Sequence, residues 1–134
     1  MAATTFLVTL GCLLLLQGIF SDKGPEAVPL TLTVENTFSN AVPDTYVTSI
    51  VEGSVLLSAL RRLQESQQDF KFTVKEDPDF GLFLESVNEL SGDKSSYWEI
   101  LAENSGELTR LDVGVGCYKP KAFEHIILRF KKSF

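Results

Sequence analysis

The sequence predicts an α+β domain in which one helix packs on a curled mixed β-sheet, in a β-grasp-like arrangement. Three observations carry this. Two stretches of alternating apolar and polar residues come first, one amphipathic helical stretch follows, and several further alternating stretches close the chain. A length of 134 residues leaves room for one domain, and no internal repeat or low-complexity tract divides it.

The N-terminus stands apart from that pattern. Phe6 to Phe20 is an apolar run without a charged side chain, too short to cross a bilayer comfortably, and the polar Ser21-Asp22-Lys23-Gly24 follows at once. This is the pattern of a secretory signal peptide over residues 1–21, with cleavage expected near Ser21. Residues 22–29 read as a linker and 30–134 as the folded domain. Since no later run is apolar enough to span a membrane, the expectation is a secreted, extracellular product.

Leu30 to Glu35 alternates Leu30, Leu32 and Val34 with Thr31, Thr33 and Glu35, which predicts a half-buried strand. Asn36 to Asp44 carries the Asn, Ser, Pro and Asp of a connection, and the β-branched Tyr46 to Val51 predicts a second strand paired with the first. Gly53-Ser54 offers an N-terminal cap for a helix whose Val55, Leu56, Ala59, Leu60 and Leu63 share one face. From Phe70 the period returns to two. Phe70 to Lys75 and Phe80 to Val87 predict strands on either side of the turn Glu76-Asp77-Pro78-Asp79. Asn88 to Ser96 reads as a loop, Tyr97 to Leu101 as a short strand, Asn104-Ser105-Gly106 as a turn, and Phe123 to Phe130 as the closing strand.

Composition excludes several function classes. The net charge is −6, and residues 1–21 hold no charged side chain, so the acidity belongs to the domain and argues against nucleic acid or an anionic membrane as partner. Cys12 lies in the signal-like run, which leaves Cys117 as a lone thiol: buried and inert, linked to another chain, or exposed and reactive. No Asn-x-Ser/Thr sequon is present. An enzyme would have to rest on Cys117 with His125 and an acid such as Asp112, but nothing around Cys117 matches a cysteine-protease signature, so no catalytic residue is assigned. One His and no paired Cys or His spacing leave no metal site, and Glu76, Asp77 and Asp79 lack the spacing of a calcium loop.

Non-covalent recognition remains. Phe80 to Trp98 combines an aromatic-glycine start, an apolar alternation and a Tyr-Trp pair, which suits either the domain's own core or a flat, partly apolar ligand.

The order and spacing of LTLTVEN, EGSVLLSALRRLQE, FKFTVKE, FGLFLESVNEL, YWEIL, GVGCYKP and EHIILRF, from Leu30 to Phe130, resemble the C-terminal β-domain of the cobalamin-transport proteins, the family of intrinsic factor, transcobalamin and haptocorrin. In that family the corrinoid lies between a helical barrel and this β-domain. The resemblance therefore implies a cobalamin-binding module that lacks the helical domain and binds one face of the ligand or acts with a helical partner in trans. Carried over segment by segment, the ligand-facing positions are Gly81, Leu82, Phe83, Leu84, Ser86, Tyr97, Trp98, Val113, Val115 and Tyr118. Gly116 and Cys117 stand where the family usually shows a small residue and an acid before the tyrosine. The partners implied are the corrinoid and a helical-domain or receptor protein. The competing reading is an extracellular protein-interaction module on the same fold, with no cofactor.

Overall fold

The structure is a computed structural model and describes residues 26–79 and 81–133. The signal-like run and Phe80 lie outside the described residues. The elements are β1 (Ala27–Asn36), β2 (Asp44–Val51), α1 (Leu56–Ser66), β3 (Phe72–Asp77), β4 (Gly81–Val87), β5 (Leu90–Ser91), β6 (Ser96–Asn104), β7 (Glu107–Arg110) and β8 (His125–Lys132).

One helix and a mixed sheet are present as expected, but the strands divide between two sheets. Five form the order β2-β1-β8-β6-β7, and three form β3-β4-β5. The first and last strands run parallel at the centre of the larger sheet, with Leu32 opposite Ile126 and Val34 opposite Leu128, and the other pairs are antiparallel. A register shift at Thr73/Val74 brings Ser86 opposite Thr73 and Leu84 opposite Val74, so Glu85 is left out of the pairing.

Alternation along four strands builds the core. Leu30, Leu32, Tyr46, Ile50, Trp98, Ile100, Ala102, Ile126, Leu128 and Phe130 are buried together with the helix residues Leu56, Leu57, Ala59, Leu60 and Leu63. Leu84 and Val87 of the small sheet join the same cluster, so helix and small sheet share one core with the larger sheet. Phe70 is fully buried, but it precedes β3 and meets Tyr46 edge-on at 5.2 Å between ring centroids. Phe123 also precedes its strand. It is 77% exposed with φ +64°, and the closing strand begins at His125.

The cap of α1 differs from the local signal. Val55, not Ser54, occupies the cap position, and no side chain caps the helix. Instead the Leu56 N–H donates to the Tyr118 carbonyl at 2.7 Å and the Leu57 N–H to the Val115 carbonyl at 2.9 Å. The loop between β7 and β8 thus supplies the acceptors that the helix start lacks.

That loop is anchored by Glu124, which is 2% exposed. Its carboxylate accepts from the Tyr118 hydroxyl at 2.7 and 2.9 Å, Asn104 Nδ2 at 2.8 Å and the Lys121 N–H at 3.1 Å. A buried carboxylate is tolerated only with such partners. Burial first, and the Glu124 acceptor next, push the Tyr118 phenol up from its ordinary value. Because the folded phenol keeps its proton above the pH at which the unfolded one loses it, this contribution is complete below about pH 10 and is lost as pH rises beyond. Tyr118→Phe is expected to cost about 1–3 kcal/mol in urea denaturation at neutral pH, and to lose less stability than the parent between about pH 10 and 11.

Candidate ligand-binding groove

A two-residue turn places the groove. Ser105 and Gly106 both have positive φ, 54° and 84°, the geometry that closes a tight hairpin. Asn104 therefore opposes Glu107, and the register runs on until Leu101 opposes Arg110. There β7 stops. One further link, from the Leu111 N–H to the Ile100 carbonyl at 2.9 Å, holds the chain before it leaves toward Gly114. Tyr97 to Ile100 keep β8 on one side and have no strand of β7 on the other.

Along that uncovered edge lies a groove of about 660 Å³, a size typical of small-molecule sites. Phe83 and Leu84 of β4 and Tyr97 to Ile100 of β6 line it, with Arg110 to Gly114 and Asp77 completing the rim. A second groove of about 290 Å³ shares Phe83, Leu84, Tyr97 and Trp98, and reaches Lys75 and Asp93. These four residues form the wall common to both, Phe83 and Tyr97 as its exposed part and Leu84 and Trp98 as its buried backing. The approach to Tyr97 is fixed by Asp93, whose carboxylate accepts from the Ser95 N–H and the Ser96 hydroxyl, both at 2.8 Å. Those bonds, the Ser95 N–H first, hold the Asp93 carboxyl below its ordinary value.

Trp98 belongs to wall and core at once. It is 7% exposed, its ring lies 5.0 Å from that of Phe130, and its Nε1 donates to the Leu90 carbonyl at 2.8 Å. Tyr97, on the opposite face of β6, is half-buried, with the Arg110 guanidinium 5.9 Å from its ring centroid. Glu99 shares that face and is 6% exposed. Its Oε2 lies 3.5 Å from Arg110 Nε and 3.9 Å from Lys131 Nζ, and its Oε1 lies 3.9 Å from Arg129 Nη1 with no hydrogen bond.

Of the expected ligand-facing positions, Phe83, Leu84, Tyr97, Trp98 and Val113 line this groove. The others have structural contacts. Val115 is fully buried at the helix cap, and Tyr118 donates to Glu124. Ser86 is buried within hydrogen-bond distance of Thr73 Oγ1, at 2.7 Å. Leu82 packs against Gly116, where an added Cβ would meet it at 3.4 Å. Gly81 has φ +76°, and an added Cβ would lie 4.0 Å from Cys117 Sγ. Sequence reasoning missed Glu99 and Arg110. The signal for Arg110 was the Ser105-Gly106 pair, since counting outward from a two-residue hairpin turn sets residue 110 opposite 101.

The chemistry weighed at Cys117 and His125 does not assemble. Cys117 is exposed, which removes the buried, inert state from the three that the sequence leaves open. Both ring nitrogens of His125 are engaged, Nε2 with Thr33 Oγ1 at 2.7 Å and Nδ1 with Glu103 Oε1 at 2.8 Å. Among the described residues no group of three or more His, Cys, Asp or Glu side chains could hold a metal ion, and no helix is long and apolar enough to cross a membrane.

Comparison with known proteins gives this geometry a family. No family model matches the chain. A dog (Canis lupus familiaris) protein, cobalamin binding intrinsic factor, is 34% identical over 118 residues, covering 79% of this chain and 27% of the relative. The crystal structure of haptocorrin in complex with Cbi superposes with a TM-score of 0.67 at 21% identity, over 85% of this chain and 27% of that one. The chain has the C-terminal β-domain of the cobalamin-transport family. It spans about a quarter of the length of these two relatives. The fold recurs in a crystal structure of a Ruminococcus gnavus protein, with a TM-score of 0.57 at 19% identity, over 80% of this chain and 99% of that one. The dog relative is by name a cobalamin binding protein, and the haptocorrin structure is a complex with Cbi; neither is an enzyme.

The two aromatic residues of the wall should behave differently. Trp98→Ala is expected to cost about 3–5 kcal/mol, as for a core aromatic. Tyr97→Ala should cost less than about 1.5 kcal/mol, because its ring is half-solvated. Urea denaturation of both variants checks this.

Proposed function

We propose that the chain is a secreted module that binds a corrinoid along the groove between β4, β6 and the Arg110–Gly114 segment. The observation that carries the reading is the shared wall of Phe83, Leu84, Tyr97 and Trp98 beside an uncovered strand edge, in a domain whose relatives include a cobalamin binding protein and a haptocorrin structure with a bound corrinoid. An apolar wall suits the flat face of the macrocycle. The polar rim suits the amides around its edge.

Residues 1–21 act as the signal peptide in this reading. Gly81 and Leu82 shape the groove from behind through the packing of Leu82 on Gly116, Tyr118 and Val115 hold the loop that carries its rim, and Ser86 ties β4 to β3. A groove open on one side leaves much of a bound macrocycle in water, so affinity of the domain alone falls below that of a site closed from both faces. A helical domain supplied in trans closes it.

Titration with cobinamide, followed by the absorbance of the ligand and quenching of the fluorescence of Trp98, tests the reading. Saturable binding is expected, weakened about tenfold in Tyr97→Ala and strengthened when a helical domain of a relative is added. The absence of any spectral change up to about 1 mM cobinamide, with and without that partner, would remove the reading and favour a cofactor-free interaction module.

A further inference from the structure

The outer side of β2 is an unguarded edge. β2 is the last strand of the larger sheet on the side away from the groove, and among the described residues no strand pairs with that outer side. Its eight residues, DTYVTSIV, keep unbroken register with β1, contain no proline, glycine or lysine, and carry no charge between Asp44 and Glu52. Edge strands ordinarily carry such guards, because free main-chain groups template further pairing. Val47, near the middle of the strand, is 67% exposed.

The ladder fixes where the free groups point. The Glu52 N–H donates to the Glu26 carbonyl, so alternation turns the main chain of Ile50, Thr48 and Tyr46 toward β1 and that of Ser49, Val47 and Thr45 outward. Arg62 of α1 reaches the same edge, its Nη1 donating to Ser49 Oγ at 3.1 Å. Asp44, at the other end of the strand, is exposed and has no ion-pair partner among the described residues.

We infer that two copies of the chain pair edge to edge through β2, antiparallel about a two-fold axis at Val47, joining two five-stranded sheets into one. In that register Val47 opposes itself and Thr45 opposes Ser49, so each pair brings outward donors to outward acceptors, and no like charges meet. Asp44 of one copy lies opposite Ile50 of the other, next to the Ser49 that Arg62 touches, so the two-fold sets Asp44 beside Arg62 at both ends. Neighbouring registers are worse. Val47 opposite Ser49 would set Asp44 against Glu52, and Val47 opposite Thr45 would set Ser49 against Pro43, which has no N–H. The groove lies at the opposite edge of the sheet, so the pairing is independent of the corrinoid reading.

Sedimentation equilibrium of the purified chain tests this, in reductant and in about 0.1 M salt, which screens the net charge of −6. One strand pair is a small interface, so a monomer–dimer equilibrium with a Kd of about 10–300 µM is expected. Val47→Lys sets two cations opposite each other, and Val47→Pro removes an outward N–H without touching the β1 ladder; each should weaken the dimer at least about tenfold. Arg62→Glu and Asp44→Arg should each weaken it about three- to tenfold, the second although it lowers the net charge, and together they should restore it to within about threefold. A monomer at every concentration up to about 1 mM overturns the inference, as does a dimer indifferent to Val47→Lys and Val47→Pro. A dimer seen only without reductant belongs to the exposed Cys117 and also overturns it. So does a double charge reversal no stronger than either single variant, since pairing about Val47 requires the exchange to rescue. Failure of the parent to bind cobinamide removes the corrinoid reading alone.

Discussion

Burial of the Glu124 carboxylate is the constraint on which the rest depends. A charge so placed must find donors, and those it finds are Asn104 at the end of β6 and, from the long loop, the Tyr118 hydroxyl and the main chain of Lys121. Satisfying one side chain therefore pins the loop against the sheet. Once pinned, the loop offers the carbonyls of Val115 and Tyr118 to the start of α1, so the helix cap and the loop conformation are one arrangement. The same loop begins with Leu111 to Gly114, which with Arg110 at the end of β7 form this side of the groove's rim. Fold stability and groove shape share a single polar cluster.

The groove exists because β7 is short. Four residues pair with β6 and then the chain departs, leaving Tyr97 to Ile100 without a strand on that side. Exposed edges invite unwanted pairing. Here the edge is recessed between β4 and the rim, where a ligand of limited size has better access than another strand. The wall also shows why binding and stability are hard to separate at Trp98: one face of the indole completes the core against Phe130, and its Nε1 is tied to the Leu90 carbonyl. Tyr97 and Arg110 are free of that double duty.

Much of the fold was legible because it rests on local periods. The helix face of Leu56, Ala59, Leu60 and Leu63, the alternation of β1 and the apolar run of β8 each bury what their spacing says they should. What was not legible depends on distant parts of the chain. β7 has four exposed residues and thus no apolar period to betray it. Ser54 is a good local cap that loses to two carbonyls more than fifty residues away in sequence, and neither the division into two sheets nor the displaced register at Glu85 is encoded in a local period. At the site, the aromatic wall was visible from residue type and spacing. The Glu99–Arg110 pair was not, since a charged residue in an alternating strand ordinarily reads as a solvated face.

The central claim, that the ligand sits on the uncovered edge of β6, is open to one direct measurement. Hydrogen–deuterium exchange of the chain with and without cobinamide reports main-chain protection segment by segment. The account predicts slowed exchange in Tyr97 to Ile100 and in Arg110 to Gly114, with little change in α1 or β2. Protection confined to α1 or β2, with the edge of β6 unaltered, would contradict it.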